Sequence, residues 1–304
     1  MKVSKRKKKK LIKYIASLLV AVFCFAVGVI GDWDEIGDNL GLSQPSVTAE
    51  GELEVHFIDV GNADCILVRQ GDKTMLIDAG ERKSKVTLQH YFDTYSVEKF
   101  DLVIATHPHA DHIGGMEYVL DNYPVEQFVM SYMDEPPTTS SYENMLECLL
   151  EKNIPVDEAV PGAVYELGTA RLQILAPYES DGEANNVSVV TRLTFGDKAF
   201  LFTGDAEEMV EKQLIYGTYP IKADVLKLGH HGSNTSNSTA FLRQVAPNFA
   251  VITCGKGNSY GHPHQEVIDR LSRQKVETYR TDCDGHVVFT TDGTTLSVTT
   301  RKEE

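Results

Sequence analysis

Four side chains that could bind metal ions fall within six residues of this chain. His107, His109, Asp111 and His112 directly follow the apolar run 102–105, which has the length of a strand. On a loop after a strand they could fold around a pair of cations, with His112 turned to the second. Imidazole suits zinc, manganese or iron, and a carboxylate adds charge for a hard cation or a bridging water. A polar surface loop is the alternative, but so dense a cluster at a strand end favours metal binding.

Two later segments also place potential ligands at the tip of an apolar run. Asp205 follows the run 200–202, and His230 follows the run 225–228. An Asp that bridges two cations and a His that completes the second site are what a dinuclear centre needs beyond the first cluster. On an extended backbone His231 points away from its neighbour, so it either donates a proton to the leaving group or caps Ser233.

Further polar residues are candidates for contact with an anionic substrate. The segment 259–264 precedes a helix expected near Pro263, where free backbone amides could meet an anion. His262 is predicted to contact substrate or to act as an acid, with a helix-capping loop as the alternative. Lys227 and Arg280 are predicted to bind phosphate unless they pair with neighbouring acids. The substrate candidates are Lys227, Ser233, Asn258, His264 and Arg280.

Strands and helices must position these residues, and the chain from residue 52 onward reads as strands followed by helices, twice over. Two mixed sheets packed face to face with helices outside would bury all of it in one domain, residues 51–304. The predicted strands are 53–60, 65–69, 75–77, 102–105, 172–175, 187–195, 199–202, 225–228, 249–252, 287–290 and 296–298. The predicted helices are 86–95, 116–120, 142–150, 209–215 and 267–271.

The N-terminus has the pattern of a membrane-targeting segment. Residues 1–13 are basic and predicted to be cytoplasmic, and residues 14–30 carry no charge. We expect residues 14–30 to be a signal anchor or a cleaved signal peptide, followed by a linker over 31–50. The domain is then outside the cell membrane on a single-pass anchor, or secreted after cleavage. No stable protein partner is predicted.

Composition and charge limit the classes of function. Apolar residues make up 42% of the chain, which excludes disorder, and the formal net charge is -15. So acidic a protein repels polyphosphate at long range, which argues against broad, non-specific DNA binding. Five cysteines without C-x-x-C spacing exclude a zinc ribbon.

The motif His107-x-His109-x-Asp111-His112 is the signature of the metallo-β-lactamase superfamily, and longer phrases narrow the resemblance. Residues 57–64, 76–80, 203–205, 229–233 and 259–264 look like the C-terminal hydrolase domain of ComEC-type DNA-uptake competence proteins. The resemblance covers residues 52 to about 300. The sequence has one apolar segment and not the many membrane helices of the full competence channel, so we do not expect DNA translocation to carry over.

The resemblance implies a four-layer αββα sandwich with two divalent metal ions, zinc or manganese, with magnesium as a further option. It places metal 1 at His107, His109 and Asp205, and metal 2 at Asp111, His112, Asp205 and His230. Asp111 is also a catalytic candidate. Many relatives supply a third His to metal 1, where this chain has Asn185 and Asn186. The residues expected behind the ligands are Asp59, Asp64, Asp78 and Asn186, with a turn or cap acid as the alternative for Asp59 and Asp78.

These features predict an extracytoplasmic hydrolase that uses a metal-bound hydroxide. A phosphodiesterase or nuclease is the first hypothesis, with DNA or another phosphodiester as substrate. Hydrolysis of a small ester, lactone, β-lactam or phosphorylcholine group is the second, and a non-catalytic binding module attached to the membrane is the third. A closed pocket would favour the small ester. A basic groove would favour the nuclease, built from Lys222, Lys227, Arg243, Lys256 and Arg280.

Overall fold

Two mixed β-sheets form the centre of the protein. The computed structural model describes residues 51–133, 135–178 and 182–302, so the predictions for residues 1–50 lie outside the described residues. The first sheet has the strand order β15-β14-β1-β2-β3-β4-β5-β6, and the second has the order β13-β12-β11-β10-β9-β8-β7. The strands are β1 (Leu53–Phe57), β2 (Ile66–Gln70), β3 (Lys73–Ile77), β4 (Leu102–Ala105), β5 (Phe128–Met130), β6 (Val156–Glu158), β7 (Val164–Leu167), β8 (Ala170–Ala176), β9 (Val190–Phe195), β10 (Lys198–Phe202), β11 (Val225–Lys227), β12 (Phe249–Ile252), β13 (Glu277–Arg280), β14 (His286–Thr291) and β15 (Leu296–Arg301).

Each sheet is antiparallel on one side and parallel on the other. Strands β3 to β6 pair in parallel, as do β10 to β13, and the remaining pairs are antiparallel. Parallel pairs need a crossover, which helices supply here. The α-helices are α1 (Lys85–Thr94), α2 (Ala110–Ile113), α3 (Met116–Asn122), α4 (Ser140–Glu151), α5 (Glu208–Tyr216), α6 (Thr239–Val245), α7 (Gln265–Gln274) and α8 (Thr281–Asp284).

Three buried apolar clusters define four layers. The first lies between the sheets, where Phe57, Phe200, Phe202 and Phe289 pack with ring centroids 6.1 to 6.4 Å apart. The second joins the first sheet to α1, α3 and α4, and the third joins the second sheet to α5, α6 and α7. Because each sheet buries both faces, the parallel strands β4, β5 and β12 consist of apolar residues only. The predicted αββα sandwich is confirmed.

The structure adds four strands and the three helices α2, α6 and α8, which the sequence patterns did not predict. Strands β5, β6, β7 and β13 are only three or four residues long, and all four lie at or next to a sheet edge. The predicted strand 187–195 is also too long, because residues Ala184–Val187 form a 3-10 turn before β9. None of the helices in the described residues is long and apolar enough to cross a membrane.

The functional loops leave the carboxyl ends of parallel strands. The His107 loop follows β4, the Asp205 loop follows β10, and the His230–His231 turn follows β11. The carboxyl ends of parallel strands in one sheet meet at one edge, and ligand sites in α/β proteins form there. Here both sheets contribute such ends to a single site.

Candidate metal centre

The side chains of His107 and His109 meet at the tip of β4. Their Nε2 and Nδ1 atoms lie 3.1 Å apart, and the Asp205 carboxylate lies 3.9 Å from Nε2 of His107. Donor atoms about 2.1 Å from a tetrahedral zinc ion lie roughly 3.4 Å apart, so the two imidazoles already have the spacing of neighbouring ligands. His107 is buried and His109 is exposed, as expected for a site with one open side.

A second group of donors lies on the other side of Asp205. The ligand atoms of Asp111, His112, Asp205 and His231 all lie within 4.8 Å of one another. His112 Nε2 is 3.3 Å from Asp205, and His231 Nε2 is 3.4 Å from Asp111 and 3.6 Å from Asp205. Asp205 thus borders both groups of donors, which is the position of a carboxylate shared by two cations.

Asp78 holds His112 in the orientation that a ligand needs. The Nδ1 of His112 donates to Asp78 at 2.7 Å, so its Nε2 faces Asp205. The same carboxylate accepts the backbone N–H of Thr106 at 2.8 Å and its hydroxyl at 2.6 Å, and Asp78 is fully buried. Such carboxylate–imidazole pairs fix the tautomer and increase the basicity of a ligating histidine.

The structure requires a correction for His230 and His231. His231 lies in the donor group, with its Nε2 atom 3.6 Å from Asp205 and 3.4 Å from Asp111. The Nδ1 of His230 faces Glu207 and Thr235, at 3.4 and 3.2 Å, and its Nε2 lies 3.9 Å from Asp205 and outside that group. The expectation of an extended backbone fails because both residues adopt left-handed conformations, with φ 51° each. The Nδ1 of His231 donates to the carbonyl oxygen of Thr253 at 2.8 Å, which leaves its Nε2 for the metal group.

Two residues without a sequence prediction hold this strained turn in place. Asn237 is fully buried and accepts from the backbone N–H of Gly229 at 2.9 Å. It also donates to the carbonyl oxygens of Gly229 and Ser233. The Glu211 carboxylate accepts the backbone N–H of Asn237 and that of Ser238. Left-handed conformations cost roughly 1–2 kcal/mol per residue outside glycine, and these hydrogen bonds offset that cost.

The prediction that Lys227 binds phosphate also requires a correction, because its side chain does not contact solvent. Its side chain is fully buried, and its ammonium group contacts the Asp64 carboxylate and donates to the carbonyl oxygen of Gly204 at 2.9 Å. Asp64 lies 3.4 Å from His231 and 3.7 Å from His112. Lys227 therefore balances charge behind the donor groups and does not line a substrate surface.

Opposite charges at the centre shift its pKa values in opposite directions. Burial alone would lower the pKa of His112, but the Asp205, Asp78 and Asp64 carboxylates raise it well above its usual value. Burial raises the pKa of Asp205, but the imidazoles of His112 and His231 lower it well below its usual value. Without metal, protonated imidazoles balance the carboxylates. Cations would replace those protons, because a ligating imidazole must be neutral.

The segment before β9 supports the Asp205 loop. The side-chain oxygen of Asn186 accepts the backbone N–H of Glu207 at 3.1 Å. Ser188 accepts the backbone N–H of Asp205 at 3.0 Å and lies 3.4 Å from Nδ1 of His107. Ser188 is a positioning residue that sequence reasoning missed, although it follows the Asn-Asn pair by only two residues.

Several other predicted residues have structural partners. Asp59 accepts the backbone N–H of Gly61 at 3.1 Å, as a turn acid does. Asn258 binds the backbone of Gly255 and His262, and Ser233 is buried within hydrogen-bonding distance of the Thr235 hydroxyl. The His264 ring accepts the backbone N–H of Asn234 at 3.0 Å, and Arg280 pairs with Asp282 at 2.8 Å. These contacts give the four residues structural partners, and their roles toward a substrate stay predictions.

An open pocket of about 310 Å³ lies over the two donor groups. His262 reaches it and stacks near His231, with ring centroids 6.3 Å apart. Its Nδ1 atom is buried without a hydrogen-bond partner in the described part of the chain. Burial and the neighbouring imidazoles of His230 and His231 lower the pKa of His262 to about 4, so the ring is neutral at pH 7. A neutral ring suits a hydrogen bond to substrate better than donation of a proton as imidazolium.

The donor groups fit a pair of divalent cations. His112 Nε2, Asp205 Oδ1 and His231 Nε2 are buried without a hydrogen-bond partner among the described residues. Buried polar atoms are almost always satisfied, so three such atoms aimed at one point indicate a missing partner. Imidazoles and carboxylates at these separations are ligands for zinc or manganese.

Comparisons with known proteins agree with this geometry. The sequence profile of the metallo-beta-lactamase superfamily matches residues 58–256. The chain belongs to this superfamily. The match includes the residues of both donor groups. The resemblance predicted from the His107–His112 motif is confirmed.

Two curated relatives of this metallo-β-lactamase domain carry competence-related names. The chain is 31% identical over 266 residues to ComE operon protein 3 of Bacillus subtilis, covering 81% of this chain and 34% of the relative. It is 29% identical over 252 residues to competence protein ComA of Neisseria gonorrhoeae, covering 81% and 33%. The chain therefore spans about a third of the length of the curated relatives it matches.

A solved structure shares the fold at low sequence identity. The metallo-β-lactamase fold protein YhfI from Bacillus subtilis matches with a TM-score of 0.55 and 13% identity. The match covers 80% of this chain and 100% of that protein. It supports the fold of this chain.

Proposed function

We propose that this domain is a metal-dependent phosphodiesterase that cleaves nucleic acid. The observation that carries the proposal is the position of Asp205 between two donor groups, the second of which has buried ligand atoms without a hydrogen-bond partner among the described residues. A pair of divalent cations supplies an ionised water near neutral pH and stabilises negative charge on an attacked phosphoryl group.

Residues of the chain would hold the cations, orient the ligating imidazoles and bind the substrate. His107, His109 and Asp205 would hold one cation, and Asp111, His112, Asp205 and His231 the other. Asp78 and the carbonyl group of Thr253 orient two of the imidazoles, as their hydrogen bonds of 2.7 and 2.8 Å indicate. His262 would bind the substrate through its unpartnered ring nitrogen.

The open shape of the site supports a nuclease over a small-ester hydrolase. The pocket is continuous with solvent, whereas a small substrate would favour enclosure. The basic groove expected from the sequence does not add support for the nuclease, since Lys227 is buried and Arg280 is paired with Asp282. The acidic net charge of -15 keeps the small-ester hydrolase as the second candidate function.

Hydrolysis of model substrates tests the reaction class. The purified full chain should hydrolyse a bis-aryl phosphodiester in manganese or zinc, and Asp205→Asn should lose at least a hundredfold in kcat/KM. The control variant Lys152→Gln changes a surface cation and should retain full activity. Faster turnover of an aryl ester or a lactone than of the diester would favour the second candidate. No turnover of any substrate with several metals would favour the third hypothesis, a non-catalytic binding module.

We further propose that residues 14–30 anchor the chain and that the domain lies outside the cell membrane. The basic segment 1–13 before the uncharged segment supports this orientation. Protease added to intact cells should degrade the domain, and a cytoplasmic marker protein should survive. Protection of the domain until the cells are lysed would refute the orientation.

A further inference from the structure

The pocket at the metal centre opens into a larger depression of about 740 Å³. Asn62, Ala110, Asp111 and Tyr260 line both spaces, so the two form one continuous surface. The residues that line only the larger depression are Glu81, Arg82 and Lys83. We call this larger depression the flanking groove. A small ester at the metal centre would leave it empty, whereas a polymer would extend into it.

Two exposed cations stand at a defined place in the flanking groove. The side chains of Arg82 and Lys83 are 72% and 70% exposed. Their 3-10 turn packs directly on the loop of the metal motif, because a Cβ atom at Gly114 would come within 2.6 Å of the backbone nitrogen of Arg82. The backbone N–H of Gly115 also donates to Gly80, two residues before Arg82, at 3.0 Å. This packing fixes the backbone that carries the two cations relative to the metal centre.

These cations are available to a phosphate group. Arg82 lies 3.5 Å from Glu117, and Lys83 lies 2.9 Å from Glu81. Exposed ion pairs of this kind contribute little to stability, so exchanging the acid for a phosphate costs little. Charge-assisted hydrogen bonds from arginine and lysine are the usual contacts to nucleic-acid backbones.

An exposed aromatic ring stands where the flanking groove joins the metal pocket. Tyr260 is 68% exposed, and its ring stacks on His262 with centroids 5.6 Å apart and an interplanar angle of 21°. Most of this ring is open to solvent beside the metal pocket, so a planar ligand can reach it. Proteins that bind single-stranded nucleic acid combine such rings, which stack on bases, with cations that contact the backbone.

We propose that the flanking groove binds single-stranded nucleic acid next to the scissile phosphodiester, with a base on Tyr260 and phosphates at Arg82 and Lys83. The inference rests on the proposed function for the identity of the reacting group. The contacts in the groove do not depend on hydrolysis, so binding can be measured separately. A double helix keeps its bases stacked inside and cannot use Tyr260 in this way.

Binding of a fluorescent twelve-nucleotide single strand to the purified full chain tests the groove. Fluorescence anisotropy measures this binding in the presence of a chelator, which prevents metal-dependent cleavage of the strand. Arg82→Gln/Lys83→Gln should weaken binding and reduce the slope of log Kd against log salt by about 1.4, which is roughly 0.7 for each lost phosphate contact. Tyr260→Ala should weaken binding about tenfold, and Tyr260→Phe should restore it because the ring is kept.

The matched control is Lys152→Gln/Lys212→Gln, which removes the same charge from two exposed ion pairs outside the groove. We expect wild-type affinity and salt slope for it. Equal weakening by both double variants, no effect of Tyr260→Ala, or equal competition by a duplex would each overturn the inference. Diester hydrolysis without oligonucleotide binding would support the proposed reaction and refute the proposed role of the groove. Binding that depends on the groove residues, without any hydrolysis, would refute the proposed reaction and support the proposed role of the groove.

Discussion

Replacing Lys227 with methionine tests how the charges behind the metal centre are balanced. The Lys227 ammonium group is fully buried, contacts Asp64 and donates to the carbonyl oxygen of Gly204 at 2.9 Å. Methionine fills a similar volume but leaves Asp64 without its cation. Asp64 is itself only 1% exposed, so water cannot take the place of that cation.

The expected loss follows from the partners that Asp64 retains. Removing one partner of a buried ion pair costs roughly 3–5 kcal/mol, because the other charge stays buried. Asp64 keeps the hydroxyl of Thr253 at 2.5 Å and the imidazoles of His231 and His112 at 3.4 and 3.7 Å. We therefore expect Lys227→Met to lower the free energy of unfolding by about 3 kcal/mol, the lower end of that range. The double variant Asp64→Asn/Lys227→Met removes both charges and should lose about 1 kcal/mol.

Urea unfolding of the full chain in chelator at pH 7 measures these values. The control Lys222→Met replaces an exposed lysine three residues before β11, and its free energy of unfolding should stay within about 0.5 kcal/mol of wild type. A loss below about 1 kcal/mol for Lys227→Met would refute the buried ion pair. So would a double variant as unstable as the sum of the two single variants.

Three further predictions concern stability. Burial would raise the pKa of Asp101, but Lys73 and the backbone N–H of Thr74 lower it below its usual value. The stability from Asp101 is therefore present above about pH 4 and lost as pH falls through the folded-state pKa. Asp101→Asn should lower the free energy of unfolding by about 1–2 kcal/mol at pH 7 and less at pH 3, and urea unfolding showing the same loss at both pH values would contradict this. Asn237→Ala removes three hydrogen bonds to the metal-centre turn and should cost about 3 kcal/mol and lower metal content, measured by urea unfolding and elemental analysis; unchanged metal content would argue against its positioning role. Metal at a hundredfold excess over its Kd should stabilise the chain by about 2.7 kcal/mol, and an unchanged Tm in a thermal scan with and without chelator would argue against a native metal site.

The sequence predicts much of the centre because its ligands follow apolar strands directly. His107, His109, Asp111 and His112 are close together in the sequence, and β4 is wholly apolar, so a strand end with a metal loop is the simplest interpretation. The sandwich is predictable for the same reason, since its long apolar runs require two covered faces.

The remaining features depend on contacts between distant parts of the chain. Lys227 sits in an apolar strand, and its burial is stable only because Asp64, far away in sequence, lies opposite. The exchange of roles between His230 and His231 follows from left-handed backbone angles that Asn237 supports. Strand periodicity assumes an extended backbone, so no pattern of residues could have shown that exchange.

The metal content of two matched variants tests the paired centre most directly. Elemental analysis of the full chain after dialysis against manganese or zinc should find two ions per wild-type chain. His231→Ala should retain about one ion, and the neighbouring variant His230→Ala should retain two. One ion or none in wild type, or two ions in His231→Ala, would contradict the arrangement of Asp111, His112, Asp205 and His231 around a second cation.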